Sequence, residues 1–145
     1  MDVVLSYSHL SLQNDTFTKF IPHFRERAQV EQLVAASPFS MGLLTPTGPP
    51  AWHPAPDLLR QATATIRTEH PEFTALALGY SIQKCLEANL PLVAGFSGTR
   101  EVHECVKVWR DVKAGIEAEK RNKDAMRARE IFDQHGYLAW SWSSP

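Results

Sequence analysis

The chain has 145 residues, 43% of them hydrophobic and 21% charged, and a formal net charge of -1. That length predicts one domain, and an apolar content near the average for folded proteins, with a mean hydropathy of -0.27, excludes a disordered chain and argues against an integral membrane protein. Fifteen Lys and Arg against sixteen Asp and Glu create no long-range field, so neither a nucleic-acid backbone nor an anionic membrane is the expected partner, and any ligand is recognised locally. From Val3 to Leu12 apolar and small polar residues alternate, with Val3, Leu5, Tyr7 and His9 on one side, which predicts a strand. Gln13-Asn14-Asp15 is a turn. Phe17, Phe20, Ile21 and Phe24 recur at helical spacing, with Pro22 splitting a short first turn from a helix that begins near it and ends near Ala28. Gln32 to Ala36 is a short apolar run of the kind found in parallel strands covered on both faces.

Ser37 to Pro56 holds six of the ten prolines together with Gly42 and Gly48, so no regular element is expected there and the segment is a candidate site loop. Asp57 is placed to cap a helix carrying Leu58, Leu59, Ala62 and Ile66, and a second helix is predicted from Pro71 with Phe73, Leu76, Ala77 and Tyr80. Leu90 to Gly95 is a third strand-like run. Phe96-Ser97-Gly98-Thr99 then leads into a helix whose Val102, Cys105, Val106, Trp109 and Val112 form an apolar stripe. Glu117 to Arg129 predicts a solvated helix anchored by Met126, Ile131 and Phe132, and Gly136 to Trp142 is an aromatic tail in need of a surface to cover.

Cys85 and Cys105, without a Cys-x-x-Cys pair, make a disulfide scaffold or thiolate zinc site unexpected and suit a reducing compartment. The start, Met-Asp-Val-Val-Leu-Ser-Tyr, has neither the basic leader nor the apolar run of a signal peptide, and the cytoplasm is the default location. The chain enters a strand-like run at once, which suggests that something is missing upstream.

Strand, helix, strand, helices, strand, helix is a βαβ series, which places the strands parallel in one sheet and ligands at their C-terminal ends. Two loops meet there: Ser37 to Leu44 after the second strand, and Gly95 to Arg100 after the third. The second is the better anion site, because its glycines admit a ligand close to the backbone while Ser97, Thr99 and the free amides of the following helix are donors for phosphate and Arg100 adds a charge. Ordinary helix capping is the simpler reading of the same residues. His9, His23, His53, His70, His103 and His135 show no ligand spacing, so no metal site is expected; His9 and His53 stand where a pocket could lie, although a packed or surface histidine is the plainer reading of each. Cys105 reads as a small packing residue, Trp52, Trp140 and Trp142 as packing residues, and no complete set of acid, base and nucleophile can be assembled.

The run Ala35-Ala36-Ser37-Pro38-Phe39-Ser40-Met41-Gly42-Leu43-Leu44-Thr45, followed by Gly48-Pro49-Pro50-Ala51-Trp52-His53-Pro54, resembles the seventh-strand loop of the aldo/keto reductases, and more narrowly their branch of L-galactose and D-arabinose dehydrogenases. Leu76 to Ser81, Leu92 to Phe96 and the Trp-containing tail match in the same order, so the resemblance covers the whole chain. It implies an α/β fold, the last three or so strand and helix units of a (β/α)₈ TIM barrel plus a C-terminal helix and tail, with residues 1–145 forming the C-terminal part of the oxidoreductase domain. Such barrels need ~250 residues.

The resemblance also implies a nicotinamide cofactor, NAD or NADP. Ser37, Pro38, Phe39, Met41 and Leu43 match the loop that wraps the pyrophosphate and nicotinamide side, and Gly95, Phe96, Ser97, Gly98, Thr99 and Arg100 the loop that holds the adenosine phosphate. Glu101 and Cys105 stand where many members have Gln and Asn near the adenine, Ala36 where many have an aromatic ring, and Leu5 or Ser6 near a sixth-strand Gln. Ser97 replaces the basic residue that commonly reads the 2′-phosphate, which favours NAD, while Arg100 keeps NADP open. The family's Asp, Tyr, Lys and His group belongs to earlier strands, so no catalytic residue is assigned. The expectation is the cofactor half of an enzyme that oxidises an aldose or reduces a carbonyl, weak or inactive alone. The alternative is a non-catalytic half-barrel that associates with itself or with another chain through open strand edges.

Overall fold

The computed structural model describes residues 2–142. Three parallel strands, β1 (Val3–Tyr7), β2 (Gln32–Ala36) and β3 (Leu92–Val93), lie in the order β1-β2-β3. Val3 to Tyr7 pair in register with Gln32 to Ala36, and Ala35 and Ala36 pair with Leu92 and Val93. Each crossover is helical. Between β1 and β2 runs α1 (Phe17–Pro22), between β2 and β3 run α2 (Asp57–Glu69) and α3 (Phe73–Ala88), and α4 (Thr99–Lys113) and α5 (Ala118–Gln134) follow β3. Three parallel strands joined by helices match the part of a β/α barrel that the resemblance implies.

Three apolar clusters hold the arc together. Leu33, Ala35 and Leu92 from the sheet, joined by Val4, meet Phe17 and Ile21 of α1 and Cys85 of α3. A larger cluster gathers Leu12, Leu43, Leu44 and Ala55 from the loops with Leu59, Ala62 and Ile66 of α2, Phe73, Leu76 and Ala77 of α3, and Ala128, Ile131 and Phe132 of α5. Leu78 and Ile82 of α3 meet Val112 of α4 in the third. The helix α3 thus buries side chains on all sides, which fits its run Leu-Ala-Leu-Gly-Tyr. Gly79 keeps α3 and α4 close: a Cβ there would stand 3.0 Å from Arg121 Cδ and 3.6 Å from Val112.

Several expectations are corrected. The first strand stops at Tyr7 rather than Leu12, because Ser8 turns to φ 61° and the chain folds into a knot of turns closed by Ser11 and Asn14. Pro22 does not begin a helix; α1 runs through it into a π-helical turn over His23–Arg27, with the Ala28 amide donating to His23 O. Asp57 is the first helical residue of α2 and makes no side-chain cap; its charge suits the helix dipole there. The second of these helices starts at Phe73, not Pro71. The third strand shrinks to Leu92–Val93, since Pro91 has no N–H to extend the ladder.

Met126 is 73% exposed and anchors nothing; Ala125 and Ala128 take its place beside Ile131 and Phe132. Trp52 is likewise exposed, whereas Trp140 packs on the largest cluster as expected. On α4 only Val112 of the apolar stripe is buried, where α3 packs against the helix.

Candidate functional site

The loop after β2 is shaped by backbone that side chains usually avoid. Ser37, Ser40 and Met41 all have positive φ, at 60°, 48° and 52°, and Gly42 follows at 92°. Each non-glycine residue so placed costs on the order of 1 kcal/mol, and the surroundings hold it. Ser37 Oγ accepts from the Met41 amide at 3.2 Å, and buried Ser40 donates to Ser11 Oγ at 3.1 Å. His53, also buried, locks the loop from the far side. Its Nδ1 accepts from the Ala55 amide at 3.0 Å, which leaves Nε2 as the donor to Ser40 O at 3.0 Å. Burial, followed by the nearby Arg60 charge, lowers the imidazole pKa despite the bond to Ser40, so the ring is neutral.

Arg60 of α2 clamps the proline-rich stretch by donating to Ala55 O at 2.9 Å and His53 O at 2.7 Å, with longer bonds to Pro49 O and Pro50 O. Arg67 reaches Pro46 O at 3.1 Å. The Gly-Pro-Pro-x-Trp-His-Pro run therefore serves as a scaffold, and His53 is its anchor and no ligand.

This scaffold sets the Ser37 loop beside the Gly95 loop. The Ser37 amide donates to Val93 O at 3.1 Å, and Phe39 meets Phe96 edge to face at 6.4 Å between centroids. A cavity of about 630 Å³ opens between them at the C-terminal ends of β2 and β3. Ser37, Pro38, Phe39 and Met41 line it on one side, and Gly95, Phe96, Ser97, Glu101 and Cys105 on the other. Of the remaining candidates, Leu43 is fully buried in the largest apolar cluster. Gly98, Thr99 and Arg100 lie off the cavity wall, and Arg100 pairs with Glu104 at 2.9 Å.

Sequence reasoning missed Tyr7, Thr45, Thr47, Thr74 and Glu104, which also line the cavity. Glu104 was legible, since it stands three residues from Glu101 on a helix and shares its face. Thr74 carried no such signal because its helix reads as packing; its buried Oγ1 has no hydrogen-bond partner among the described residues. A second cavity, about 660 Å³, runs along β1 and shares Tyr7 and Met41 with the first; His9, Asn14, Ala139 and Trp142 line it. Trp142 lies 5.0 Å from the His53 ring. The tail is gripped by Gln13, whose Nε2 donates to Tyr137 O at 2.6 Å and Trp140 O at 2.9 Å.

Tyr80 donates to Asp15 and is a structural tie and no proton donor to a substrate. Burial, then its bond to Asp15, pushes its pKa far up, and it lines neither cavity. Cys105 is shifted upward by burial and is no ready thiolate. Among the described residues no three His, Cys, Asp or Glu gather as metal ligands, and no helix is long and apolar enough to cross a membrane.

No protein-family model matches the chain. Among curated proteins it is similar to the L-galactose dehydrogenase of Arabidopsis thaliana, 34% identical over 118 residues, which spans 79% of this chain and 36% of the relative. It is also similar to the D-arabinose 1-dehydrogenase of Saccharomyces cerevisiae, 27% identical over 152 aligned positions, covering 100% of this chain and 45% of the relative. Both relatives are aldo/keto reductases. The chain is an aldo/keto reductase homologue. It spans less than half the length of these relatives, and its three-stranded arc is the corresponding part of a (β/α)₈ barrel. In this aldo/keto reductase arc, Ala36 is buried at the end of β2 and presents only a methyl group to the cavity.

Proposed function

We propose that the chain is the dinucleotide-binding part of an aldo/keto reductase-type dehydrogenase, whose ancestral reaction is NAD(P)-dependent oxidation of an aldose or reduction of a carbonyl. One observation carries the reading: the two loops at the C-terminal strand ends close on one cavity, where ligands of parallel α/β sheets collect. Its walls fit such a ligand. Phe39, Phe96 and Leu78 offer apolar contact, while Thr45, Thr47 and the unpartnered Thr74 Oγ1 offer hydroxyls. When bound, the nicotinamide supplies or accepts hydride. The cavity along β1, which meets this one at Tyr7 and Met41, is the natural seat for a sugar or other small carbonyl or alcohol. Tyr7 and His9 stand on the walls of this second cavity without an acid–base set such as the family's Asp, Tyr, Lys and His around them, and lack of such a set costs about 10²–10⁴-fold in rate. The chain alone is therefore a binder and a poor catalyst. Titration with NADH, followed by its fluorescence, tests the reading: saturable binding is expected, together with no turnover of aldehydes above background. Robust turnover would refute the catalytic part, and absence of binding the whole.

A second reading is favoured by the sheet itself. Val4 faces the helices, so Val3, Leu5 and Tyr7 project from the opposite face, where each is more than half exposed, as is Val93. In this reading the arc is non-catalytic and is covered by a second copy or another chain. Sedimentation of the purified chain decides it, and a cooperative monomer would count against self-association.

A further inference from the structure

We propose that the outer edge of β1 pairs antiparallel with β1 of a second copy of this chain, about a two-fold axis at Leu5. The inference rests on the second reading above, that the open arc is covered by protein, and commits it to one partner and one register. Among the described residues β1 has β2 on one side and no strand on the other. The Ser8 amide donates to Ala36 O, and the Gln32 amide donates to Asp2 O. In a parallel ladder alternate residues of a strand bond to the same neighbour, so the even-numbered residues of β1 turn their backbone groups to β2. Val3, Leu5 and Tyr7 turn theirs outward.

That outward row is complementary to itself. A two-fold axis through a sheet relates a strand to its own copy only antiparallel, and such isologous contacts are the commonest in homo-oligomers. In an antiparallel pair, opposed residues alternate between exchanging both backbone bonds and exchanging none. Setting Leu5 against Leu5 of the second copy sets Val3 against its Tyr7 and Tyr7 against its Val3. All three outward residues then fall in the bonded class together. The side chains agree with the backbone, since Val3, Leu5 and Tyr7 share the face away from the helices and each is more than half exposed. A branched residue meets an aromatic one on either side of a Leu–Leu contact, a favourable cross-strand pairing. Charge agrees as well. Val3 to Tyr7 holds no Asp, Glu, Lys, Arg or Pro, the residues that block strand edges in monomers. Beyond the pairs, Asp2 falls opposite Ser8 of the second copy and beside its His9, so its carboxylate meets no like charge. Phe20 of α1, 54% exposed, lines the groove beside Leu5 and Tyr7 and gains an apolar cover.

Sedimentation equilibrium of the 145-residue chain over a concentration series should reach the mass of two chains and stop there. Cysteine placement, mild oxidation and non-reducing electrophoresis read the register. Leu5→Cys puts two thiols at the axis, where opposed Cα atoms of a bonded pair stand about 5.5 Å apart, within the span of a disulfide. A cross-linked dimer is expected. Val3→Cys leaves its two thiols roughly 14 Å apart, four residue steps along the strand, and should cross-link no more than the parent, whose partly exposed Cys105 sets the background. Leu5→Lys sets two ammonium groups against each other and should weaken association about tenfold or more, with far-UV circular dichroism checking that the chain folds. A monomer at every concentration overturns the inference and self-association with it. Growth past two chains, equal cross-linking at Val3 and Leu5, no cross-link at Leu5, or undiminished association of a folded Leu5→Lys overturns the inference and leaves self-association through another face.

Discussion

Tyr80 donates its phenolic hydrogen to Asp15 Oδ2 across 2.6 Å, tying the middle of α3 to the turn that follows β1. Arg129 of α5 completes the junction with a bond to Asp15 Oδ1 at 3.0 Å and another to Leu12 O at 3.0 Å, and its guanidinium lies 5.3 Å from the Tyr80 ring centre. Three elements far apart in sequence thus meet at one carboxylate.

Removing the hydroxyl should reveal what the tie contributes. Tyr80→Phe keeps the ring under Arg129 and deletes one charge-assisted bond, for an expected loss of about 1.5–3 kcal/mol. The urea midpoint measures it. A variant with the parent midpoint would show that the bond is replaced by water at no cost.

Asp15 also gives the fold an acid-sensitive joint. Burial alone would raise its pKa, but the bonds from Tyr80 and Arg129 and the Arg129 charge outweigh burial, and the pKa falls below the ordinary 3.8. The unfolded chain binds a proton that the folded chain refuses, so this contribution is complete above 3.8 and is lost as the pH drops through the lowered value. Asp15→Asn should be less stable at neutral pH and should show a flatter decline in stability below that point, as read by denaturation at a series of pH values.

His53 sets a second pH dependence at a milder pH. Its folded pKa lies below the ordinary 6.5, with burial the leading cause, so the unfolded state takes up the proton first on acidification. The stability it gives is full above 6.5 and declines as the pH falls from there toward the lowered value. His53→Gln cannot titrate, and its stability should stay level over that interval. A decline as steep as in the parent would place the effect on another group.

What could be read from the sequence was mostly local. The bounds of β2 followed from Gln32 and the four apolar residues after it, set between a charged turn and a proline, and the run of prolines announced the long loop before α2. The two loops that share the cavity were legible because parallel topology brings strand ends together. The joints were not. Asp15 and Tyr80 are 65 residues apart and Asp15 and Arg129 are 114 apart, and no periodicity links such positions. Ser97 and Glu101 show the limit from the other side: both were candidates for a ligand, yet nothing in their spacing said that they satisfy each other.

Gly95 offers the most direct test of the cavity. A side chain there meets nothing within 4 Å of its Cβ, and its backbone does not demand glycine, so Gly95→Trp should fold as the parent does. Gly95 nonetheless lines the cavity wall opposite Ser37, and an indole there would take up cavity volume beside Phe96. Binding of NADH should be abolished while the unfolding free energy from urea denaturation changes by no more than about 0.5 kcal/mol, the range of an unstrained surface change. Retention of full NADH affinity would move the dinucleotide away from the Gly95 loop and leave the β1 cavity as the place to search for it.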